Sequence, residues 1–141
     1  MAVTAFVFPL VFTAAFNKEI DLLDDAIKVA LTTSTYAVDQ DTHDYFNDVT
    51  NEVVGTGYTA GGVALATDTI TYTAGTNVWK YDADDSSWTT ATITARFAVV
   101  YDSTPATAAT QPLICYQNFG ADVVSTAGTF LITWNASGIF T

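Results

Sequence analysis

The alternation of apolar and polar positions predicts one long strand at residues 88–101 (WTTATITARFAVVY). Beta-branched and aromatic residues dominate this stretch, and they suit a pleated, half-buried surface. The second side of the strand is polar as far as Arg96 and turns apolar from Ala98. We therefore expect the strand to start at a sheet margin and to run into a covered interior. Its apolar face is predicted to consist of Ile93, Ala95, Phe97, Val99 and Tyr101.

Shorter segments with the same alternation surround this strand, and turn-rich stretches separate them. A short helix is predicted at 42–49, and turns or loops at 82–87, 102–111 and 120–128. Together these elements indicate a mainly β fold, an antiparallel β-sandwich or a jelly-roll or barrel-like single domain with one or two short helices. The further strands are predicted at 26–33, 63–73 (with a register change near Thr67), 77–81, 112–119 and 129–135.

Residues 1–17 form the first unit, an N-terminal arm or short helix, and residues 18–141 form the single β domain. Pro9 suits the first turn of a helix and Asn17 its end, so we expect a short strand and then a short helix. An extended arm is the alternative, since the aromatic residues also fit alternation. These side chains must be covered by the domain or by a neighbour, and they are candidate interface residues: Phe6, Phe8, Phe12 and Phe16.

A glycine-rich segment at 52–65 (EVVGTGYTAGGVAL) predicts a tight structural loop. Such a density of glycine indicates positive φ angles or a close approach of two backbones. The segment does not open a helix, which argues against a phosphate-binding loop. Tyr58 is predicted to anchor the loop by packing its ring and tethering its hydroxyl.

The charge balance limits the classes of partner. The net charge is −11, from 15 acids and four bases, and only 13% of the residues are charged. Binding to nucleic acid or to an anionic membrane is disfavoured, whereas a basic protein surface suits the chain. We expect Arg96, the one arginine, to pair with a carboxylate. The low charge also suits a chain that works within an assembly.

No set of catalytic or metal-binding residues emerges from the sequence, so no enzyme activity, metal or cofactor is predicted. His43 is the one histidine, and Cys115 lies in an apolar run that predicts a buried thiol. Two acidic clusters resemble fragments of a calcium loop but lack its glycine turn and closing glutamate. We interpret them as solvated turns: Asp39, Asp41 and Asp44, and Asp82, Asp84 and Asp85.

Aromatic residues leave one alternative open, a carbohydrate-binding β-sandwich module. Trp79, Tyr81 and Trp88 would form a platform for stacking on sugar rings if they were exposed. Burial in the core is the favoured interpretation. Residues 2–16 are too short to span a bilayer and lack the basic start of a signal peptide, so we expect synthesis in the cytoplasm.

The order of four segments resembles small structural proteins of tailed bacteriophage virions. The segments are IKVALTTS, DTHDYFNDVTNEVVGTGYTAGGVAL, DADDSSWTTATITARFAVVYD and PLICYQNFGADVVSTAGTFLITWNASGIF. The resemblance covers roughly residues 18–140, and its specificity lies in the ordered combination. The apolar N-terminal FVFPLVFTAAF departs from the more polar helix expected there.

The resemblance implies a virion component with no catalytic residues. The first expectation is a capsid decoration (cement) protein on the capsid surface, made in the host cytoplasm. Such a protein sits as a homotrimer over junctions of the major capsid protein, which is the implied partner. A tail or head-fibre component is the alternative.

Overall fold

Antiparallel β-strands make up most of the chain, as the sequence predicts: 47% of the residues are in strands and 9% in helices. The computed structural model describes residues 5–141. One α-helix and two 3-10 turns, Phe46–Asp48 and Ala108–Thr110, complete the secondary structure. The elements are β1 (Ala5–Val7), α1 (Val11–Phe16), β2 (Ile27–Thr32), β3 (Val63–Ala64), β4 (Thr69–Thr73), β5 (Val78–Asp82), β6 (Ser86–Asp102) and β7 (Leu113–Ile132).

The hairpin of β6 and β7 forms the spine of the fold. It is paired from Ser86 opposite Ile132 to Tyr101 opposite Leu113. The main sheet has the order β1-β7-β6-β2-β3, while β4 and β5 form a separate two-stranded sheet. β1 pairs with β7 and β2 pairs with β6, in both cases only in the half of the hairpin that is nearest its turn. That half is therefore the centre of the sheet, and the other half projects beyond it as a ribbon.

A change of register in β6 corrects the predicted single apolar face. The register shifts between Ala95 and Phe97, so the side chains on either side of the shift point to opposite faces. Ala95 belongs to the larger core, whereas Phe97 and Val99 pack in a smaller core on the other face. The expected change from one covered face to two is confirmed, because all side chains of 98–102 are buried.

Two cores lie on opposite faces of the main sheet. In the larger core, Tyr81 of the β4–β5 sheet and Trp134 and Ile139 of the C-terminal segment cover the spine. The smaller core is covered by the segment that follows β2, through Tyr36. The arrangement is sandwich-like, as predicted, with a small second sheet and irregular segments as the covering layers.

Several predicted elements are wrong in pairing or extent. The irregularity predicted near Thr67 is found, but it is a break rather than a register change: residues 63–73 divide into β3 and β4, and Thr67, with a positive φ of 56°, lies between them. Residues 77–81 pair with β4 in the second sheet and not with the long strand that follows them. The expected loop at 120–128 belongs to β7, where Val123 and Val124 pair with β6.

The helical predictions are confirmed in part. α1 follows β1 and is capped by Asn17, as expected, but it begins at Val11, so Pro9 lies before the helix and not in its first turn. Its buried residue is Ala14 rather than one of its phenylalanines. The helix predicted at 42–49 is reduced to a 3-10 turn at Phe46–Asp48, because Tyr45 forms a β-bridge with Pro112. No helix of residues 5–141 has the length and apolar character needed to cross a membrane.

Trp134 and Phe97 differ in burial, so truncating each of them should cost a different amount of stability. Trp134 is 5% exposed and its indole N–H donates to the carbonyl of Asp84 at 3.0 Å. Trp134→Ala should therefore lower the free energy of unfolding by about 3–5 kcal/mol. Phe97 is only half-buried, so Phe97→Ala should cost about 1–2 kcal/mol. Chemical denaturation measures both losses of unfolding free energy. Trp134→Phe is the milder variant, which keeps an aromatic ring in the core. Equal losses for Trp134→Ala and Phe97→Ala would contradict this description of the core.

Candidate docking surfaces

Arg96 clamps an irregularity in β7. Between Asn118 and Val123, β7 has more residues than the segment of β6 opposite it. The guanidinium donates to the Asn118 side chain at 3.0 Å and lies 3.8 Å from the Asp122 carboxylate, so it holds both ends of the irregular segment. The predicted pairing of this arginine with a carboxylate is found. Its role is structural, and the pair is partly exposed.

Tyr58 anchors the glycine-rich loop, as the sequence predicts. Its hydroxyl donates to the Glu52 carboxylate at 2.7 Å and accepts from the Leu31 backbone N–H at 2.9 Å. Burial and this hydrogen bond to Glu52 raise the pKa of the hydroxyl. Gly62 has a φ of +73°, and a Cβ there would collide with the Val29 carbonyl. The loop is therefore packed closely against β2.

The N-terminal phenylalanines divide between the core and the surface. Phe8 is buried in the smaller core, so the domain itself covers it. Phe6 is 47% exposed and stacks on Tyr116 with a ring-centroid separation of 5.3 Å. Phe12 and Phe16 of α1 are 58% and 84% exposed. Two of the four candidates thus lie largely on the outside of the helix, where nothing within residues 5–141 covers them.

The β4–β5 hairpin presents an aromatic tip. Tyr72 and Trp79 are cross-strand partners with ring centroids 5.0 Å apart, and Trp79 is 61% exposed. The Tyr72 hydroxyl donates to the Asn77 side chain at 2.7 Å, which closes the turn. Tyr81, at the base of the hairpin, is buried and donates to Asp68 at 3.1 Å. The base is thus fixed in the core while the hairpin tip, Tyr72 and Trp79, stands free.

An apolar groove of about 380 Å³ lies beside this hairpin. Ile114 of β7 contributes to its floor, and Asp21 is the single charged residue of the lining. Ile70 belongs both to the groove and to the apolar face of the hairpin that ends in the tip. The walls come from α1, the following loop and β4, through Val11, Phe12, Ala15, Ile20, Leu22 and Ile70.

Acidic residues collect at the end of the spine where β6 turns into β7. The Tyr45 hydroxyl donates to Glu19 at 3.0 Å, and the Asp44 carbonyl accepts from the Leu113 N–H at 2.8 Å, which brings the two acidic loops to this turn. Asp102 ends β6 there. We call this surface the acidic end; its members are Glu19, Asp21, Asp24, Asp25, Asp44, Asp48 and Asp102.

Asp102 differs from the rest of the acidic end, because most of the other members are exposed. Desolvation raises the pKa of the Asp102 carboxyl, and Asp25 nearby adds to the shift. Asp102 is fully buried, and one of its oxygens lacks a hydrogen-bond partner among the described residues. The pKa of Asp44 is raised by desolvation and by Asp48. Holding these two carboxylates ionised at neutral pH therefore costs stability, first through desolvation and further through the neighbouring acids.

The residues considered for metal or catalysis have structural partners. The Asp39 side chain accepts from the backbone N–H groups of Asp41 and Thr42, which is a local turn. Lys80 and Thr67 hold Asp82 and Asp84, and Asp85 accepts from the Trp134 N–H. Within residues 5–141, no group of three potential ligands is placed to hold a metal ion.

The remaining reactive side chains are also engaged or buried. His43 lies 3.0 Å from the Tyr36 hydroxyl, and the two rings stack. Cys115 is fully buried, as predicted, and burial raises the pKa of its thiol.

The proposed sugar platform does not assemble from the three residues named for it. Trp88 and Tyr81 are buried in the larger core, and only Trp79 is exposed. The sequence analysis missed the pairing of Trp79 with Tyr72. The signal was present, because ITY and VWKY mirror each other across the turn-forming TAGTN.

Comparison of the chain with protein-family models, curated proteins and solved structures gave no match.

The acidic end predicts an unusual response of stability to pH. Because the pKa of Asp102 is raised on folding, the folded chain holds this proton more tightly, and stability falls as pH rises above the unfolded value of about 4. Asp102→Asn removes the buried charge and keeps the acceptor for the Thr104 N–H at 2.8 Å. The variant should gain about 1 kcal/mol at pH 7 and little at pH 4.

Chemical denaturation at the two pH values measures this gain. Asp24→Asn is the matched control, since it removes an equal charge from an exposed position of the same end. A loss of stability in Asp102→Asn at pH 7, or an equal gain in the control, would contradict the assignment.

Proposed function

We propose that this protein is a structural component of a tailed-bacteriophage virion, a capsid decoration protein that binds and stabilises the lattice of the major capsid protein. The observation that carries the proposal is the division of the surface. Seven of the 15 acids form the acidic end, while exposed aromatic and aliphatic side chains occupy α1 and the β4–β5 hairpin. This division suits a protein with two kinds of contact, and the resemblance to virion proteins supplies the setting.

In this proposal the apolar surface provides affinity and the acidic end provides steering. Each Å² of apolar surface removed from water contributes about 25 cal/mol, so a few aromatic side chains account for a useful contact. The acids would meet basic groups of the capsid surface, which raises the encounter rate and the specificity more than the affinity. A chain with four cations has few of its own to contribute to ion pairs.

Lattice stabilisation follows from linkage. A protein that binds the assembled shell more tightly than its free subunits shifts the equilibrium towards assembly. Contacts that cross a subunit boundary are absent from the separated subunits, so they act in this way. No bond is made or broken, and the protein acts by binding rather than by catalysis.

The position and copy number of the chain in an intact particle test the proposal. Cryo-electron microscopy should find hundreds of copies on the icosahedral shell, and particles that lack the protein should release DNA at lower temperature. A few copies on the tail or at one vertex would instead identify a tail or head-fibre component.

The free protein gives a second, independent readout. Specific retention on an oligosaccharide array, lost in Trp79→Ala and kept in Leu131→Ala, would favour carbohydrate binding through the hairpin tip. Leu131 is the matched control because it is 51% exposed on β7 and belongs to neither the tip nor the groove. The proposal expects no such retention.

A further inference from the structure

We propose that the side chains of Asp25 and Asp102 share one proton, and that this proton fastens the loop between α1 and β2 to the end of β6. We call the two side chains and their proton the latch. The latch opens as pH rises, when the proton leaves for solvent. It is a property of the free chain and does not depend on the proposed function.

Asp102 has a buried oxygen that no hydrogen-bond donor reaches. The residue is fully buried at the end of β6, and its Oδ1 accepts from the Thr104 N–H at 2.8 Å. Its Oδ2 has no partner among the residues that the structure describes. An ionised oxygen that is buried without a donor is costly, so a proton at Oδ2 is favoured.

The backbone brings Asp25 to this oxygen. Ile27 of β2 lies opposite Asp102, and Asp25 precedes Ile27 by two positions, so it approaches β6 on the same face as Asp102. The two side chains are in hydrogen-bonding contact. An ionised carboxylate has no hydrogen to donate, so this contact is a hydrogen bond only when one of the two carries a proton.

The described part of the chain supplies no ion-pair partner for these two acids. Neither of its ion pairs includes Asp25 or Asp102. Lys28 of β2 lies opposite Tyr101, which puts it on the other face of the sheet. Residues 103–113, which follow Asp102, contain no ionisable side chain. A proton is therefore the positive charge that these elements leave for the pair.

The other acids of this region act on the pair less directly. The Asp21 backbone N–H donates to Oδ2 of Asp25 at 2.6 Å, which orients that side chain. Asp44 and Asp48 are in contact with each other, and Asp24 is exposed. Asp25 is thus the acid that acts on Asp102 by direct contact, and the latch consists of two carboxyl groups.

Deprotonation turns the contact into a repulsion. Burial raises the pKa of Asp102, and the neighbouring Asp25 raises it further. The closed latch therefore holds the proton more tightly than the open one. Its advantage is fully present below the ordinary carboxyl pKa of about 4 and is lost as pH rises through the raised pKa of Asp102.

Opening of the latch acts on the loop that precedes β2. Apart from the latch, Ala26 holds the loop to β6: its N–H donates to Thr104 Oγ1 at 2.7 Å and its carbonyl accepts from the Ser103 N–H at 3.0 Å. The same loop carries Ile20 and Leu22, which line the apolar groove. The pH therefore changes one wall of the groove from a position outside it.

Nuclear magnetic resonance of the side-chain carboxyl carbons tests the shared proton. In the natural chain, the Asp25 signal should shift over the pH range in which Asp102 titrates, because coupled groups titrate as a pair. Asp25→Asn supplies an amide that donates to Asp102 without a proton from solvent and keeps the acceptor for the Asp21 N–H. The titration midpoint of Asp102 should therefore move to lower pH in this variant.

Asp24→Asn is the matched control, because it removes an equal charge from an exposed position of the same loop. It should leave the Asp102 midpoint in place. Circular dichroism establishes that both variants are folded. An unchanged midpoint in Asp25→Asn would mean that burial alone acts on Asp102, and it would overturn the shared proton.

Amide hydrogen exchange tests the opening of the loop. Protection of the Ala26 and Ser103 amides, corrected for the intrinsic effect of pH on exchange, should fall by at least about tenfold as the natural chain passes through the Asp102 titration. In Asp25→Asn it should not change with pH. The same pH dependence in both chains, or none in the natural chain, would contradict the latch.

Calcium chloride distinguishes the proton from a bound cation. Above the Asp102 titration, the carboxyl signals with and without calcium chloride should coincide. Saturable shifts confined to Asp25 and Asp102 and lost in Asp102→Asn would overturn the latch and identify a cation site. A chain without a latch that is found in hundreds of copies on the shell contradicts the latch alone. A latched chain that is missing from the shell contradicts the decoration role alone.

Discussion

The register shift between Ala95 and Phe97 is the constraint on which the rest of the fold depends. Without it, Ala95 would share a face with Phe97 and Val99, and the apolar face of the ribbon would continue into the smaller core. With it, Ala95 serves the larger core while Phe97 and Val99 serve the smaller one. Both faces of the spine then need cover, which the C-terminal segment and the chain after β2 provide. Arg96, between the two, holds the matching irregularity in β7.

Sequence reasoning predicted the fold class and the position of the spine because both depend on local alternation. It also found the role of Tyr58, since glycine-rich loops commonly need an anchor. It failed where the fold depended on which strand pairs with which. Nothing in the alternation of 77–81 distinguishes β4 from β6 as a neighbour, and the positive φ at Thr67 that decides the matter is an uncommon conformation for threonine. Likewise, the sequence does not show the extra residues in β7.

The same limitation applies to the candidate surfaces. An amphipathic helix predicts cover for its apolar face, so the exposure of Phe12 and Phe16 could not be read from the sequence, and the burial of Phe8 required knowledge of the second core. The tryptophans show the point most clearly. Three of them occur in similar contexts, yet only Trp79 lies on a hairpin outside the main sheet. Its exposure follows from strand pairing, and strand pairing is a long-range property.

Amide hydrogen exchange of the free protein and of the assembled particle tests most directly the claim that the hairpin and the groove are covered by another protein. The account predicts that Thr69–Thr73, Val78–Asp82 and Val11–Phe16 exchange quickly in the dilute free chain and become strongly protected on assembly. The centre of the spine should be slow in both states. Protection confined to the acidic end, or an unchanged rate in the hairpin, would contradict it.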